Sequence, residues 1–497
     1  MRILSMTLGA VLAVGAIVSS SAEGVAGPLG GAATEGAPPV PASPAYHRPA
    51  LIGADISHLP QLLSLGAEFS LDGEAMDPLE IFRLHGFEVI RLRLWHTPDE
   101  LWHGTAATLA FAQDLKAAGF EIMLDFHYSD TWADPGKQYK PAAWEGLPFP
   151  ALVDSVYAYT NNVIRTFRDS GALPKYVQIG NEVNPGFIWD DGRVGWSGSE
   201  WDTPEQWAQF TTLLSAGIAA VRDSLPSGDW PRIVIHSATG GDNAASRWFY
   251  DGVVAHGVDF DVIGLSHYPW WHGSLEDLEA NLADLAATYG KEIQIVETAY
   301  PWTLGWNDDT HNFVGLPEQL LPGYDATPEG QLAFLRDLLA IVEAVPYGLG
   351  TGVYYWEPDF IVVPGGPGNP YENLALFDFG NDGLPGIAFG VPWGTGVDDC
   401  GEEHGALPLL YPGRPNPFSS DTALAYVVPK GGAHVTLRLY DVSGRLVRTL
   451  VDAHRESGLH ELHWDRRAAS GATVAAGVYF VVASIGKRDG AVKVVVR

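Results

Sequence analysis

The sequence predicts an α/β protein, a (β/α)8 barrel of the TIM type, followed by a small all-β sandwich. Three observations lead to this prediction. From Leu51 onwards, short apolar runs alternate with helical patterns. Polar side chains cluster where these runs end, and the same end of the strands carries the chemistry of α/β barrels. The last part of the chain instead alternates polar and apolar residues with a period of two, which is typical of paired β-strands.

Eight apolar stretches are predicted as the strands of the barrel. A strand that is apolar along its whole length is buried on both faces, as in a parallel sheet covered by helices. A doubly wound open sheet is the competing fold, but no Gly-rich phosphate loop follows any of these stretches. The predicted strands are residues 51–56, 89–94, 121–126, 176–180, 232–236, 262–266, 293–296 and 352–355.

Helical patterns separate the predicted strands. Two of them start with a hydroxyl residue before proline, Thr203-Pro204 and Thr327-Pro328, where the hydroxyl can cap the first turn. The predicted helices are residues 78–85, 105–118, 150–169, 204–224, 244–255, 275–289 and 328–344.

The segments that flank the barrel differ from it in composition. Residues 1–22 combine a basic start, an apolar run and small residues, which predicts a secretory signal peptide, with an uncleaved anchor as the alternative. Residues 23–49 are rich in Gly, Ala and Pro and are predicted to be a disordered linker. The barrel domain is assigned to 50–393, a second linker to 394–407 and the sandwich to 408–497. The predicted strands of the sandwich are residues 423–428, 434–440, 446–450, 459–464, 478–483 and 491–496.

Composition narrows the classes of partner. The net charge of −31 argues against nucleic acid and against anionic membranes, because both would repel the protein. A neutral partner is more natural, and the 17 Trp suit stacking on sugar rings as well as core packing. The lone Cys400 can form no internal disulfide. We expect a monomer.

Nearly every predicted barrel strand ends in His, Trp, Arg or a carboxylate. In a protein without a site at this rim, we would expect apolar strand ends, so this pattern indicates a functional rim. The candidates for substrate binding are Asp55, Arg93, Trp95, His127, Asp130, Trp132, Asn181, His267, Tyr268, Trp302 and Trp356.

Two glutamates at strand ends, Glu182 and Glu297, are the candidates for catalysis. Cleavage of a glycosidic bond uses one carboxyl group as the acid and a second as nucleophile or base. Glu182 is the better acid, because burial beside another carboxylate would keep it protonated. Glu297 would then stay ionised with the help of a cation, either Arg91 or Arg93. The rival carboxylates are Asp125, Asp130 and Glu357.

Long motifs around these residues closely resemble the endo-β-1,4-galactanases of glycoside hydrolase family 53. The resemblance extends from about residue 51 to residue 388. Its motifs are GADIS (53–57), RLRLW (91–95), DFHYSDTWADPGKQ (125–138), KPAAW (140–144), QIGNE (178–182), SHYP (266–269), ETAYP (297–301) and YWEP (355–358).

The resemblance implies a retaining endohydrolase of β-1,4-galactan, the neutral side chain of type I arabinogalactans. It also implies that Glu182 is the acid/base and Glu297 the nucleophile, and that the chemistry needs no cofactor. The alternatives are a related endoglycanase, such as a mannanase or cellulase, and a galactan-binding surface protein without turnover.

Some bacterial members of the family hold a structural calcium ion between two rim loops. Here Asp308, Asp309 and His311 are weak candidate ligands, with Glu372 as an additional one. The spacing does not reproduce the family pattern cleanly, and a polar, turn-rich loop is the alternative.

The C-terminal segment resembles the immunoglobulin-like sorting domains of the type IX secretion system and related flagellar-hook-type modules. This resemblance implies export to the medium or the cell surface, with outer-membrane secretion machinery as a partner. A carbohydrate-binding module is the alternative, but the segment has few aromatic residues. The motifs are PNPF (415–418), LYDVSGR (439–445), GVYF (477–480) and KVVVR (493–497).

Overall fold

The computed structural model describes most of the chain between residue 49 and residue 497. The predicted signal peptide, the linker at 394–407, Cys400 and all but the last residue of the linker at 23–49 lie outside the described residues. The described ranges are 49–196, 198–226, 228, 230–391, 409–411, 416, 418–429, 431–456 and 458–497.

Eight parallel strands of the described chain close into a barrel. Each strand pairs with its neighbours in chain order, and the last strand pairs with the first, with Trp356 beside Asp55. The predicted barrel is therefore confirmed, with small differences in strand limits. The barrel strands are β1 (Leu51–Asp55), β4 (Phe87–Leu94), β5 (Glu121–Phe126), β6 (Tyr176–Ile179), β7 (Arg232–Ser237), β8 (Val262–Ser266), β9 (Glu292–Thr298) and β10 (Gly350–Trp356); the hairpin strands β2 (Ser70–Leu71) and β3 (Glu74–Ala75) lie outside the barrel.

Helices cover the outside of the barrel. The hydroxyls of Thr203 and Thr327 cap their helices, as the sequence predicts. No helix in the described ranges is long and apolar enough to span a bilayer. The helices are α1 (Leu59–Ser64), α2 (Pro78–Leu84), α3 (Thr105–Ala117), α4 (Phe149–Asp169), α5 (Pro204–Asp223), α6 (Asn243–Ala255), α7 (Pro269–His272), α8 (Leu275–Tyr289) and α9 (Pro328–Glu343).

The inside of the barrel changes from apolar to polar along the strands. One buried cluster contains Val89, Met123 and Val234. Two residues further along the same strands stand Arg91, Asp125 and His236. Side chains two residues apart share one face of a strand, so these polar groups lie above the apolar layer. The strands thus place the polar side chains together at their C-terminal ends.

The C-terminal module is an all-β sandwich made of a two-stranded and a four-stranded antiparallel sheet. Burial alternates along β12, as the period of two predicts. Trp464 is fully buried in the core of this module. The strands are β11 (Thr422–Val428), β12 (Ala433–Asp441), β13 (Leu446–Arg455), β14 (Gly458–Trp464), β15 (Gly477–Ile485) and β16 (Arg488–Val496).

The sandwich packs against helix α2 of the barrel. Tyr411, Ala425 and Val427 belong to the same buried cluster as the barrel core. The hydroxyl of Tyr411 lies 3.0 Å from Nε2 of His85, and the two rings meet at 88° with their centroids 5.0 Å apart. Both side chains are buried, so this contact joins the two modules without intervening water.

Replacement of Tyr411 by Ala should destabilise the barrel as well as the sandwich. The substitution leaves a cavity between the modules, and the expected loss is about 3–5 kcal/mol of the free energy of unfolding. Urea unfolding followed by tryptophan fluorescence measures this loss. Tyr347→Ala, which truncates an exposed tyrosine of the barrel, is the matched control and should change stability little. An early, separate transition of the sandwich with an unchanged barrel transition would contradict the packing.

Candidate active site

A buried guanidinium lies at the centre of the polar rim. Arg91, on β4, is 1% exposed. Its Nη1 donates to Asp55 at 2.8 Å, and its Nη2 donates to Asp125 at 2.9 Å and to the side-chain oxygen of Asn181 at 2.7 Å. The same Nη2 lies 2.9 Å from Oε1 of Glu297. One cation therefore joins β1, β5, β9 and the end of β6.

Glu297, near the end of β9, is held by two groups. Besides Arg91, the hydroxyl of Tyr268 donates to Oε2 of Glu297 at 3.0 Å. The side chain is 5% exposed, so it keeps narrow access to the space above the barrel. Both partners stabilise the ionised form of this carboxyl group.

Glu182 follows β6, and in the described part of the chain its side chain is held by a hydroxyl rather than by an ion pair. Its Oε1 accepts a hydrogen bond of 2.7 Å from the hydroxyl of Ser266, which also lies 2.8 Å from Nε2 of His236. Ser266 is the residue of β8 that pairs with Glu297 in the sheet register. The two glutamates, far apart in sequence, thus meet on either side of Ser266.

The two carboxyl groups differ in their affinity for a proton. Burial raises the pKa of Glu182 well above its ordinary value, and the charge of Glu297 raises it further. Burial also raises the pKa of Glu297, to about 7, but Arg91 and Tyr268 act against this rise. Arg91 and Tyr268 thus favour the ionised form of Glu297, whereas the charge of Glu297 favours the protonated form of Glu182, an asymmetry of the kind that suits an acid beside a nucleophile.

The backbone before Glu182 turns sharply to bring its side chain over the barrel. Gly180 has φ +83°, and a Cβ there would lie 2.4 Å from the side chain of Val183. Glu182 itself has φ +48°, a left-handed conformation that is uncommon for a residue with a side chain. A strained backbone of this kind is typical of functional positions and costs about 1–2 kcal/mol.

A second buried network lies beside the first. Arg93 forms a close ion pair with Glu357, whose Oε2 lies 2.8 Å from Nδ1 of His58. Burial opposes ionisation of Glu357, but His58 and Arg93 lower its pKa below the ordinary value. The guanidinium of Arg93 also stacks on Trp132 at 4.2 Å from the ring centroid. This network fixes the position of Trp132 at the rim.

Aromatic rings form a continuous row across this side of the rim. The centroids of Trp132 and Trp356 are 6.1 Å apart, and those of Trp356 and Tyr371 are 4.4 Å apart. Trp95 extends the row at the other end, 5.4 Å from Trp132. Burial raises the pKa of the Tyr371 hydroxyl, and the charges of Glu297 and Glu182 raise it further.

Several predicted substrate-binding residues are not at the groove surface. Asp55 and Arg93 are each 1% exposed and His267 is 0% exposed, so these three are placed beneath or behind the groove. His127 is also buried, with Nε2 3.0 Å from Asp125. Arg93 and His127 contact the carboxylates of Glu357 and Asp125, whereas the ring nitrogens of His267 have no hydrogen-bond partner among the described residues.

Two further predicted residues lie in the rim loops. Asp130 accepts backbone N–H groups of Thr97 and Ala142, at 2.9 and 2.8 Å, and so joins two loops. Trp302 packs edge-on against Phe379, with centroids 4.7 Å apart. Asp130 is therefore occupied by loop contacts, whereas Trp302 lies in the loop after β9.

The calcium candidates do not converge. Both oxygens of Asp308 accept backbone N–H groups, from Thr310 and Asn369, while Asp309 and His311 are exposed. Within the described ranges, no group of three or more His, Cys, Asp or Glu side chains is placed to hold a metal ion. Glu372, the additional candidate, accepts the backbone N–H of Asn307 at 2.6 Å, and no step below uses a metal.

The sequence predicted a cation beside Glu297, and Arg91 lies there, but it did not identify the groups around Glu182. Ser266 and His236 both stand at strand ends, which is the signal that could have identified them. Gln138 was also missed; its amide donates to the backbone oxygens of Asn181 at 2.7 Å and Glu182 at 3.3 Å. No sequence pattern identifies a contact of this kind, because it joins two loops.

Two family models match the chain. The one described as "Glycosyl hydrolase family 53" matches residues 51–389, and the one described as "FlgD Ig-like domain" matches residues 418–489. The two matches fall on the barrel and on the sandwich, and they agree with the fold described above.

Individual relatives match the barrel part. A protein of Niallia circulans named "Uncharacterized protein in bgaB 5'region" is 48% identical, over 66% of this chain and 90% of its own length. The "Arabinogalactan endo-beta-1,4-galactanase" of Cellvibrio japonicus is 36% identical, over 69% and 91%. Among solved structures, the "Ignisphaera aggregans GH53 catalytic domain" superposes with a TM-score of 0.64 at 38% identity, over 71% of this chain and 99% of the other.

Replacement of Glu182 by Gln should stabilise the fold increasingly as the pH rises. The pKa of this carboxyl is higher in the folded than in the unfolded state, so its contribution to stability is complete below the unfolded pKa and is lost as the pH rises. The free energy of unfolding of the variant should equal that of the wild type near about pH 4. Above that pH, the free energy of unfolding of the variant should exceed that of the wild type by about 1.4 kcal/mol for each pH unit, up to the pKa of Glu182 in the folded protein.

Urea unfolding across this pH range measures the difference. The control is Glu318→Gln, which removes an exposed carboxylate and should give no such trend. A gain of stability that does not grow with pH would contradict the environment assigned to Glu182.

Proposed function

Because the chain belongs to glycosyl hydrolase family 53, we propose that it is a retaining endo-β-1,4-galactanase. Its substrate would be the β-1,4-galactan of type I arabinogalactan, cleaved at internal bonds. The galactanase name of the Cellvibrio relative supports this choice of sugar. The observation that carries the proposal is the pair of buried carboxyl groups, Glu182 and Glu297, with unequal partners at one rim.

In the first step, the carboxylate of Glu297 attacks the anomeric carbon of a galactosyl residue. Glu182 donates its proton to the glycosidic oxygen as the bond from that oxygen to the anomeric carbon breaks. The products are a covalent galactosyl-enzyme ester and a shortened galactan chain. Retention requires carboxyl groups about 5–5.5 Å apart, so that no water fits between nucleophile and sugar.

In the second step, Glu182 acts as the base. It accepts a proton from water as the water oxygen attacks the anomeric carbon, and the ester bond to Glu297 breaks. Arg91 and Tyr268 receive the carboxylate that leaves. Glu182 ends the cycle protonated, and the configuration of the sugar is retained. The chemistry uses two carboxyl groups and water and needs no cofactor.

The surroundings of the pair suit a neutral sugar chain. The side-chain NH2 of Asn181 donates to the carbonyl of Ala133 at 2.8 Å, which leaves its second hydrogen for a sugar hydroxyl beside the bond that breaks. Trp132 and Trp356 offer rings on which sugar faces can stack. The net charge of −31 does not oppose a ligand without charge.

We also propose that the protein is exported through the signal peptide at 1–22 and that the FlgD Ig-like domain serves as a type IX sorting module. The support for sorting is the set of C-terminal motifs, and the domain match itself indicates only an Ig-like module. The protein would then meet galactan outside the cell.

Purified protein should hydrolyse linear potato galactan to oligosaccharides of several lengths, with little action on mannan or carboxymethylcellulose. Product sizing by chromatography measures this. Glu182→Gln and Glu297→Gln should each lower kcat on galactan at least a thousandfold, because each removes a group that takes part in both steps. A thousandfold loss corresponds to an activation free energy that is higher by about 4 kcal/mol. Release of galactose alone would contradict an endo mode, and binding without hydrolysis would favour a non-catalytic role.

Azide should distinguish the roles of the two glutamates. In Glu182→Ala, azide can attack the galactosyl-enzyme without a base and yield a β-galactosyl azide. In Glu297→Ala, azide can take the place of the nucleophile and yield the α anomer. NMR spectroscopy of the products identifies the anomer, and the reverse assignment would exchange the two roles.

The sorting proposal predicts where the protein accumulates. In a bacterium that has type IX secretion, the full chain should reach the medium or the surface. A variant that ends at residue 407 should stay in the periplasm. Cell fractionation followed by immunoblotting measures the distribution, and equal export of both would contradict a sorting role.

A further inference from the structure

Two loops beside Glu182 carry a row of flat side chains that the proposed mechanism does not use. Tyr139 lies in the loop between β5 and α4, and Trp189, Arg193 and Trp201 lie in the loop between β6 and α5. The guanidinium carbon of Arg193 lies 4.4 Å from the ring centroids of both Trp189 and Trp201. The rings of Tyr139 and Trp189 meet at 89°, with centroids 6.5 Å apart.

The row is tied to the backbone of Glu182. Gln138 donates from its side chain to the carbonyl oxygens of Asn181 and Glu182. The backbone N–H of Trp189 donates to the carbonyl of Gln138 at 2.7 Å, and Tyr139 and Trp189 form a β-bridge. A few hydrogen bonds thus separate the first ring of the row from the backbone of the proposed acid.

Tyr139, at one end of the row, is exposed, while Trp189 and Trp201 are half-buried. Tyr139 is 58% exposed, and Trp196, in the same loop as Arg193, is 67% exposed. An exposed aromatic ring at the edge of a groove offers a flat apolar face, which is what the apolar face of a sugar ring stacks on. Stacking of Arg193 between two indoles keeps this part of the long loop ordered without covering Tyr139.

The row lies on one particular side of the bond that breaks. Glu297 attacks the sugar that stays on the enzyme, whereas Glu182 protonates the oxygen that leaves with the rest of the chain. In the closed ring of eight strands, β5 lies opposite β9, which carries Glu297. A galactan chain that runs from Glu297 past Glu182 therefore continues toward the loops that follow β5 and β6.

We propose that Tyr139, Trp189, Arg193 and Trp201, here called the aglycone platform, bind the galactosyl residues on the leaving-group side of the cleaved bond. The inference rests on the proposed function and adds where the departing part of the chain is held. In the second step, the same platform holds a sugar acceptor in competition with water, and so it controls transglycosylation.

The test compares two substrates for the variant Tyr139→Ala. Linear galactan places sugars on the platform, whereas a nitrophenyl β-galactobioside has a nitrophenol in place of the leaving sugar chain. Loss of one stacking face should lower kcat/KM on galactan about tenfold more than on the aryl substrate. Transglycosylation with added galactotriose as acceptor should fall by a similar factor. Tyr139→Phe keeps the ring and should restore the wild-type ratio.

Trp230→Ala is the matched control. Trp230 is also an exposed indole beside an arginine, 5.0 Å from the guanidinium carbon of Arg222, but it precedes β7 at the opposite end of the barrel. For Trp230→Ala, the ratio of kcat/KM on galactan to kcat/KM on the aryl substrate should equal that of the wild type. Circular dichroism and thermal unfolding establish that each variant is folded.

The outcomes separate the inference from the proposed function. Equal losses of Tyr139→Ala on both substrates, or a ratio like that of Trp230→Ala, would overturn the platform while leaving the galactanase proposal intact. A wild-type protein without activity on either substrate would instead overturn the proposed function.

Discussion

The rim depends on the buried guanidinium of Arg91. Its contacts reach Asp55, Asp125 and Glu297, so one cation lies among three carboxylates that would otherwise repel one another in a dry environment. Removing one partner from a buried ion pair costs about 3–5 kcal/mol. Arg91 also favours the ionised form of Glu297 against burial, which raises the pKa of this carboxyl group to about 7. Structure and reactivity thus depend on the same contact.

The two buried arginines of the rim are distributed unequally among its acids. Arg91 and Arg93 lie two residues apart on β4 and face the same interior, yet each serves different acids, Arg91 those around Glu297 and Arg93 mainly Glu357. In the described part of the structure, the carboxyl group of Glu182 accepts a hydrogen bond from the hydroxyl of Ser266. Burial and the charge of Glu297 disfavour the ionised form of Glu182, which destabilises the fold at high pH and, in the proposed mechanism, keeps a proton available for the leaving oxygen.

The sequence predicted the barrel, the sandwich and the convergence of Glu182 and Glu297, because each follows from strand periodicity and from where the strands end. It could not divide the rim residues into those that face the groove and those beneath it. Arg93 and His267 stand at strand ends just as Tyr268 does, but burial depends on which loops cover each one. Contacts between loops, such as that of Gln138 with the backbone of Glu182, leave no periodic signal.

The two sides of the groove are built differently. Around Glu297, buried ion pairs and packed rings such as Trp132 and Trp356 leave little freedom, which suits recognition of the one sugar that must distort and react. Beyond Glu182, the flat side chains of Tyr139 and Trp189 belong to long loops, and the proposed platform offers ring faces rather than a fixed set of polar partners. An enzyme that cuts within a polymer needs accuracy at the reacting sugar and tolerance along the rest of the chain. The distribution of buried charge and exposed rings on this rim meets both requirements.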